Sequence, residues 1–156
     1  MRSTSAFGGS SGSIRVAEAS EAELNQAIVD LSREDFLAGN FDLKALFSLL
    51  FERFYSEDLV LWLGTEETNG RSAAFRRMAE VLEPFNTLFE MGLASIESFH
   101  ATAKVRDAEG NFITEWETFL AGSHATRTPI RWRTVRAWKS QVVIAERVED
   151  LLLLNA

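Results

Sequence analysis

Phe99-His-Ala-Thr-Ala-Lys-Val-Arg106 is the stretch that decides the fold, because apolar and polar residues alternate along it. Such alternation sends successive side chains to opposite faces of a β-strand and predicts a sheet with one buried face. The turn signal Asp107-Ala-Glu-Gly110 follows directly and indicates an antiparallel hairpin. Further strand-like segments follow at short spacing, over residues 112–122, 130–139 and 142–150. This half of the chain therefore predicts an antiparallel meander.

The chain upstream of the meander is mostly helical in pattern. A capping box at Ser20–Glu23 predicts one helix start, and a broad apolar stripe after Asp42 predicts a second helix. The apolar run Leu59–Leu63 is too short for a helix and predicts a buried strand. A third helix is predicted from about Ser72 to Leu82, with Pro84 ending it. Helices followed by a meander predict an α+β fold, with about three N-terminal helices packed on a curved antiparallel sheet.

Length and composition restrict the function. The 156 residues suit one domain, with residues 1–19 as a flexible Gly/Ser-rich tail and residues 20–156 as the domain. A net charge of −7 argues against nucleic acid, and the lack of cysteine excludes disulfides and thiolate chemistry. With two histidines we expect no metal site and no cofactor. No apolar run approaches the roughly 18 residues of a membrane span, and no secretory core is evident, so we expect a cytoplasmic protein.

The alternation also divides the sheet into two faces. The first face is apolar and must pack on the helices. It carries Phe99, Ala101, Ala103, Val105, Phe112, Trp116, Leu120, Ile130, Trp132, Trp138, Val142, Ile144 and Val148. The second carries Lys104, Glu115, Glu117, Arg131, Arg133, Lys139, Arg147 and Glu149. This outer face is solvated or half-covered by another subunit.

Polar residues on the apolar face are the candidate site. They are Thr118, Thr134, Arg136, Glu146 and Asp150. A buried charge needs a partner or a role. The hairpin register guessed from the turns places Glu146 beside Thr134 and diagonal to Arg136, within cross-strand reach. Glu146 would then be a general acid or base and Arg136 an orienting cation; the alternative is a structural ion pair in the pocket wall.

Aromatic residues are the candidate ligand contacts. Four tryptophans and one tyrosine lie in a small chain, and such residues either line a pocket for a flat apolar ligand or pack a core. With the two threonines of the apolar face they form the candidate substrate-binding set. That set is Tyr55, Trp62, Trp116, Thr118, Trp132 and Thr134.

Three local motifs carry a family resemblance over roughly residues 21–150. They are Asp58-Leu-Val-Leu-Trp62, Thr118-Phe-Leu-Ala-Gly-Ser-His124 and Val142-Val-Ile-Ala-Glu-Arg-Val-Glu-Asp150. In this order the chain resembles the SnoaL-like branch of the NTF2-like superfamily. The resemblance implies a cone-shaped α+β domain with an apolar pocket, and a homodimer through the outer sheet face. Relatives include ketosteroid isomerases, polyketide cyclases, limonene-epoxide hydrolases and dehydratases, and others have no catalysis.

The resemblance transfers few functional residues. Cyclases of this type use an acid late in the last strand, which implies Asp150 as a second candidate base. Epoxide hydrolases of this fold carry an Asp-Arg-Asp set with a Tyr and an Asn. The Tyr and Asn positions fall on Leu61 and Leu63 here, and the others near Trp116, Thr118 and Arg147, so that set is not recognisable in the sequence.

These observations favour a small cofactor-free enzyme that performs acid–base chemistry on an apolar organic molecule in a conical pocket. The reaction would be an isomerisation, cyclisation, dehydration or epoxide opening, with Glu146 or Asp150 as acid or base. The alternative is a non-catalytic module that binds a small molecule or dimerises. An open pocket that exposes Arg136 and an acid favours the enzyme, whereas a filled core with those charges paired favours the module.

Overall fold

The computed structural model describes residues 11–37, 43–91, 94–96, 99–122 and 127–149. The helices are α1 (Ser11–Leu37), α2 (Leu43–Phe54) and α3 (Arg71–Glu90). The strands are β1 (Tyr55–Leu63), β2 (Glu66–Asn69), β3 (Ala94–Ile96), β4 (His100–Arg106), β5 (Phe112–Gly122), β6 (Arg127–Lys139) and β7 (Val142–Glu149). The predicted α+β class, with three helices packed on a sheet, is confirmed.

Within the described residues, seven strands form a single sheet in the order β2-β1-β7-β6-β5-β3, with β4 also paired to β5. The predicted meander of β4 to β7 is antiparallel throughout. The sheet as a whole is mixed, because β1 runs parallel to β7, and this corrects the expectation of a purely antiparallel sheet. Strands that are far apart in sequence are not joined by a hairpin, so nothing in the local sequence sets their relative direction. The stretch Glu66–Asn69 forms the short strand β2, which pairs antiparallel with β1.

Helix α1 begins at Ser11 and not at the predicted Ser20. Residues 14–19 read Ile-Arg-Val-Ala-Glu-Ala, and the alanine, arginine and glutamate among them are good helix formers, so the helix extends through them. The Ser20–Glu23 capping box consequently lies inside the helix. Residues 11–19 are helical where a flexible tail was expected, and residues 1–10 lie outside the described residues.

Helix α3 continues past Pro84 to Glu90, although the sequence predicted its end there. A proline removes one backbone donor from a helix and strains the turn before it. The Thr87 hydroxyl donates to the carbonyl of Glu83 at 3.1 Å, and this adds a local contact on the C-terminal side of the proline. None of the described helices combines the length and apolarity that a membrane crossing needs.

The main core lies between the helices and one face of the sheet. Along β1, the side chains of Leu59, Leu61 and Leu63 are buried and the residues between them are less so, as the period of a strand requires. The other buried members of this core are Leu24, Leu50, Phe51, Phe54, Tyr55, Ala74, Met78, Ile130, Val143 and Val148. Trp116 and Phe99 form an adjoining buried cluster.

Two β-bulges change which side chains face the helices. The register of β4 against β5 shifts between Ala101 and Ala103, and beyond this point Val105 is 58% exposed instead of buried as predicted. The register of β7 against β6 shifts between Ala137 and Trp138. As a result Val143 is buried, whereas Val142 and Ile144 were expected to be the buried residues. A bulge inserts one extra residue into a strand, so it reverses the alternation from that point on.

Candidate functional site

Arg136 is the centre of a buried polar cluster. Its side chain is only 2% exposed and projects from β6 toward helix α1. The Nε atom donates to Glu146 Oε1 at 2.5 Å, across the β6–β7 pair. The Nη1 atom donates to Glu21 Oε2 at 2.9 Å and to Asn25 Oδ1 at 2.7 Å, both on α1. One guanidinium therefore joins two carboxylates and one amide. Below we call these four side chains, with Tyr55 and Trp138, the Arg136 cluster.

Strand pairing and helix spacing bring these groups together. Arg136 and Glu146 are direct cross-strand partners, so their contact is closer than the diagonal one guessed from the turns. Glu21 and Asn25 are four residues apart on α1 and therefore share one helix face. Leu24, which is fully buried, lies on the same face. The apolar stripe of α1 therefore includes two polar side chains, Glu21 and Asn25, that contact the sheet.

Tyr55 completes the cluster from the first residue of β1. Its hydroxyl donates to Glu146 Oε1 at 2.5 Å, the same oxygen that accepts from Arg136. The ring stacks on Phe51 with centroids 4.5 Å apart, which fixes its direction. Burial, followed by the negative charge of Glu146, raises the pKa of Tyr55 well above its usual value. Tyr55 is therefore a neutral donor, and one Glu146 oxygen accepts two hydrogen bonds.

The cluster holds more acid than base. Burial alone would lower the pKa of Arg136, but its interactions with Tyr55, Glu146 and Glu21 outweigh burial and raise the pKa well above the usual value. The guanidinium thus stays charged. The Trp138 indole donates to Glu21 Oε1 at 2.8 Å, so both oxygens of Glu21 accept a hydrogen bond. Two carboxylates with one guanidinium leave one excess negative charge. The neutral donors Tyr55 and Trp138 stabilise it by hydrogen bonds to the carboxylates.

A cavity of about 210 Å³ adjoins this cluster. We call it the α1–β5 cavity, since it lies between α1 and the β4–β5 hairpin. It is lined by Glu18, Glu21, Ala22, Asn25, Lys104, Val105, Arg106, Phe112, Ile113 and Thr114. Glu21 and Asn25 belong to both the cavity wall and the cluster, whereas Arg136 and Glu146 do not line the cavity. Of the two acidic residues of the cluster, Glu21 is therefore the one that lines the cavity.

An ion pair lies in the more exposed part of the cavity wall. Arg106 Nη1 donates to Glu18 Oε1 at 3.1 Å, and the guanidinium lies 4.6 Å from the centroid of the Phe112 ring. The side chains of Arg106 and Glu18 are 33% and 54% exposed. The charge of each is thus balanced by the other, and solvent screens the pair.

The predicted aromatic and threonine contacts pack in the core. Trp116 stacks on Trp132 with centroids 6.1 Å apart, and its indole donates to Thr134 Oγ1 at 3.1 Å. Thr118 is 2% exposed and is the strand partner of Ile130. The lining of the α1–β5 cavity includes none of these residues. The interpretation as core packing fits their positions better than that of a pocket wall.

Two other predicted site residues lie elsewhere. Trp62 lies between the buried Leu61 and Leu63 on β1, so its side chain points to the opposite face of the sheet. There the Arg147 guanidinium lies 5.5 Å from the centroid of its ring. The expectation that Trp62 shares a pocket with Trp116 is therefore wrong. Asp150, the second candidate acid, lies outside the described residues.

Sequence reasoning missed Glu21 and Asn25. The capping-box interpretation of Ser20–Glu23 assigned this segment to a helix start, so its residues were not considered as part of a buried helix face. The available signal was polar residues at 21 and 25 on the helix face of the apolar Leu24. Within the described ranges, no three carboxylate or imidazole side chains come together as metal ligands. Arg136 itself provides the positive charge between the Glu21 and Glu146 carboxylates.

The outer face of the sheet is charged around an apolar centre. Arg131 Nε donates to Glu117 Oε2 at 2.7 Å, and Arg133 Nε donates to Glu149 Oε1 at 3.0 Å. A depression of about 420 Å³ on this face is lined by Ala103, Val105, Ile113, Glu115, Arg133, Val135 and Glu149. Both the charges and the apolar centre follow from strand alternation and the β4 bulge.

Comparison with solved structures identifies the architecture. A proposed isomerase from Bacillus subtilis is 13% identical, with a TM-score of 0.55 over 83% of this chain and 85% of that one. A proposed SnoaL-like polyketide cyclase from Jannaschia sp. CCS1 is 9% identical, with a TM-score of 0.55 over 88% of each chain. The chain has a SnoaL/NTF2-like fold. An NTF2-like protein of unknown function from Burkholderia xenovorans LB400 is also similar, at 16% identity and a TM-score of 0.51, covering 84% of this chain and 82% of that one.

The NTF2-like fold confirms the resemblance drawn from the three sequence motifs. No protein-family model and no curated protein matches the chain. Identities between 9% and 16% carry the fold and not the activity, because one fold hosts many functions.

Proposed function

We propose that this NTF2-like domain binds a small organic molecule in the α1–β5 cavity, with Glu21 as the acidic group that faces it. The observation that carries the proposal is that Glu21 belongs both to the cavity wall and to the Arg136 cluster. Glu21 lines the cavity, and both of its carboxylate oxygens accept hydrogen bonds from the cluster, one from Arg136 and one from Trp138. A buried polar group that is oriented before the ligand arrives loses little entropy on binding.

The cavity and cluster favour binding over the catalysis first expected of Glu146. Arg136 and Glu146 are 2% and 5% exposed and paired with each other, and charges paired in this way are expected of a binding module. The volume of about 210 Å³ is below the roughly 300 to 1,000 Å³ of pockets for drug-sized ligands. A compact ligand with a single ring fits this size.

A fluorine NMR screen of small fluorinated ring compounds tests the proposal. Ala22 lines the cavity from the exposed side of α1, and A22F would fill it. Gln26 is exposed on the same helix but is not part of the lining, so Q26F is the matched control. We expect ligands that bind the wild type and Q26F and that lose affinity for A22F. Equal binding to all three proteins would place the ligand elsewhere, and no binding to any would contradict the proposal.

Acid–base catalysis is the second candidate, favoured by the array Glu21–Arg136–Glu146. Two carboxylates around an arginine, with Tyr55 and Asn25, have the same kinds of functional group as the epoxide-hydrolase set, with glutamates in place of aspartates and at other positions. Only Glu21 of the two carboxylates lines the cavity. A single carboxylate suits a reaction in which one group removes and returns a proton, as in an isomerisation. Arg136 and Glu146 would then be positioning residues.

Hydrogen exchange of a ketone tests this candidate without a known substrate. In heavy water, Glu21 would take a proton from the carbon beside the carbonyl of cyclohexanone and return a deuteron to it. We expect the wild type to accelerate exchange and E21Q to lose the acceleration. E23Q, on the exposed side of the same helix, should behave as the wild type. A rate at the uncatalysed level for the wild type contradicts catalysis and leaves binding intact.

We also propose that two copies associate through the outer face of the sheet. The support is the apolar depression there, with Val105 58% exposed and charged residues around it, since interfaces combine an apolar centre with a polar rim. A cytoplasmic location stays a prediction.

A further inference from the structure

Two buried side chains that line the α1–β5 cavity carry donor groups without a hydrogen-bond partner among the described residues. Asn25 is 5% exposed, and its Oδ1 accepts from Arg136, which turns the amide nitrogen Nδ2 away from the guanidinium. Thr114, on β5, is 2% exposed. Within the described ranges, Nδ2 of Asn25 and the hydroxyl of Thr114 make no hydrogen bond. Both residues line the same cavity.

Such groups are uncommon in folded proteins. Most buried polar atoms find a partner, and one that does not carries the cost of its lost hydration. An amide nitrogen brings two N–H donors, and a threonine hydroxyl brings one O–H donor. Because Asn25 and Thr114 come from α1 and β5, they offer donors from opposite walls of one cavity. The missing partner is therefore a hydrogen-bond acceptor inside it.

We infer that the α1–β5 cavity recognises a neutral molecule with an oxygen acceptor, a carbonyl oxygen in particular, through Asn25 Nδ2 and the Thr114 hydroxyl. This inference rests on the proposed binding function and adds the chemical class of the ligand. A carbonyl oxygen has two lone pairs and can accept from both side chains at once. Phe112 and Ile113 offer apolar surface to the body of the ligand.

Charge decides against an anionic acceptor such as a carboxylate. Glu21 and Glu146 already place two negative charges around the single buried guanidinium of Arg136. A third buried anion would be repelled and would lack a counter-charge. The other cations of the cavity wall do not compensate, because Arg106 is paired with Glu18 and Lys104 is exposed to solvent, which screens it.

Three probes of similar size test the acceptor and its charge. Cyclohexanone has the carbonyl oxygen, methylenecyclohexane replaces that oxygen by carbon, and cyclohexanecarboxylate carries the anion. Each is titrated into the full chain, and the side-chain amide signals of Asn25 are followed by proton–nitrogen NMR. We expect cyclohexanone to shift these signals and to bind about tenfold more tightly than methylenecyclohexane, in keeping with the net worth of a hydrogen bond. The carboxylate should bind most weakly.

T114V is the most informative variant. Valine has nearly the shape of threonine, and in the part of the chain that the structure describes the Thr114 hydroxyl has no partner to lose, so the fold should remain intact. T114V should weaken cyclohexanone binding several-fold and leave methylenecyclohexane binding unchanged. T134V is the matched control, since Thr134 is also buried on the sheet but its oxygen accepts from Trp116. It should not change the preference for the ketone.

The outcomes separate the inference from the proposed function. Equal affinity for cyclohexanone and methylenecyclohexane, with T114V without effect, would overturn the inference and leave the binding site in place. Tighter binding of the carboxylate would overturn the neutral class. If none of the probes binds, the cavity holds water only, and both the inference and the proposed function are wrong.

Discussion

Arg136 and Glu146 are direct partners across strands β6 and β7, and the guanidinium Nε lies 2.5 Å from the carboxylate Oε1. The same guanidinium reaches Glu21 on helix α1. These contacts join helix α1 to the sheet through buried ion pairs inside an otherwise apolar core. A buried charge that loses its partner is far more costly than an exposed one.

Removing the central cation should therefore destabilise the fold strongly. We expect R136M to lower the free energy of unfolding by about 3 to 5 kcal/mol, because Glu21 and Glu146 would remain buried without their counter-charge. Arg131 lies on the same strand but on the outer face, with its side chain 72% exposed. R131M should cost no more than about 1 kcal/mol. Urea denaturation of both variants measures the difference, and equal losses would contradict the structural role of the cluster.

Stability should fall at alkaline pH because of Tyr55. Burial and Glu146 raise its pKa in the folded state, so its contribution is full below the unfolded pKa of about 10 and is lost as the pH rises toward the folded pKa. The slope approaches about 1.4 kcal/mol per pH unit in this window. Y55F should lack this component. Tyr55 is the only tyrosine, so its ultraviolet titration is directly assignable, and an ordinary pKa would contradict the buried hydrogen bond to Glu146.

Two isosteric substitutions should have opposite effects on stability. T134V removes the acceptor of the buried Trp116 indole and should lower the free energy of unfolding by about 1 to 3 kcal/mol. T114V removes a buried hydroxyl that has no partner among the described residues and should leave the free energy of unfolding unchanged or raise it. Thermal unfolding compares the two. A loss in T114V as large as that in T134V would mean that the Thr114 hydroxyl has a partner in the folded chain.

Association through the outer face predicts one sensitive position. Val105 and Leu49 are both 58% exposed, the first on β4 and the second on α2. V105E would place a charge in the apolar centre of the outer face and should convert a dimer to a monomer. L49E should leave the dimer unchanged. Light scattering after size-exclusion chromatography gives the mass of each variant, and a monomeric wild type would contradict the association.

The sequence was sufficient for the fold class and for most of the division of the sheet into faces. Alternation in the meander, with helical stripes before it, predicted three helices on a sheet and placed Arg136 and Glu146 on the buried face. Such patterns are readable because the polarity of each residue indicates whether its position is buried. The β-bulges were not predictable, because one extra residue reverses the alternation without a distinctive local signal. Val105 is consequently exposed, and Val143 is buried in place of Val142 and Ile144.

The site was less predictable than the fold. Arg136 and Glu146 stood out as charges on an apolar strand face, whereas Glu21 and Asn25 lie on a helix whose start was misplaced. Their contact with Arg136 joins residues more than a hundred positions apart. Periodicity within a segment indicates which of its faces is buried, but it does not indicate which other helix or strand that face contacts. Trp62 was misassigned because aromatic character was weighed without the parity of β1.

The central claim is that the α1–β5 cavity holds a neutral ligand between Asn25 and Thr114, beside a fixed Glu21. A crystal structure of the protein soaked in cyclohexanone tests it most directly. We expect one ketone in this cavity, with its oxygen in hydrogen-bond contact with Asn25 Nδ2 and the Thr114 hydroxyl. Water alone in the cavity, with the ketone bound elsewhere or not at all, would contradict it.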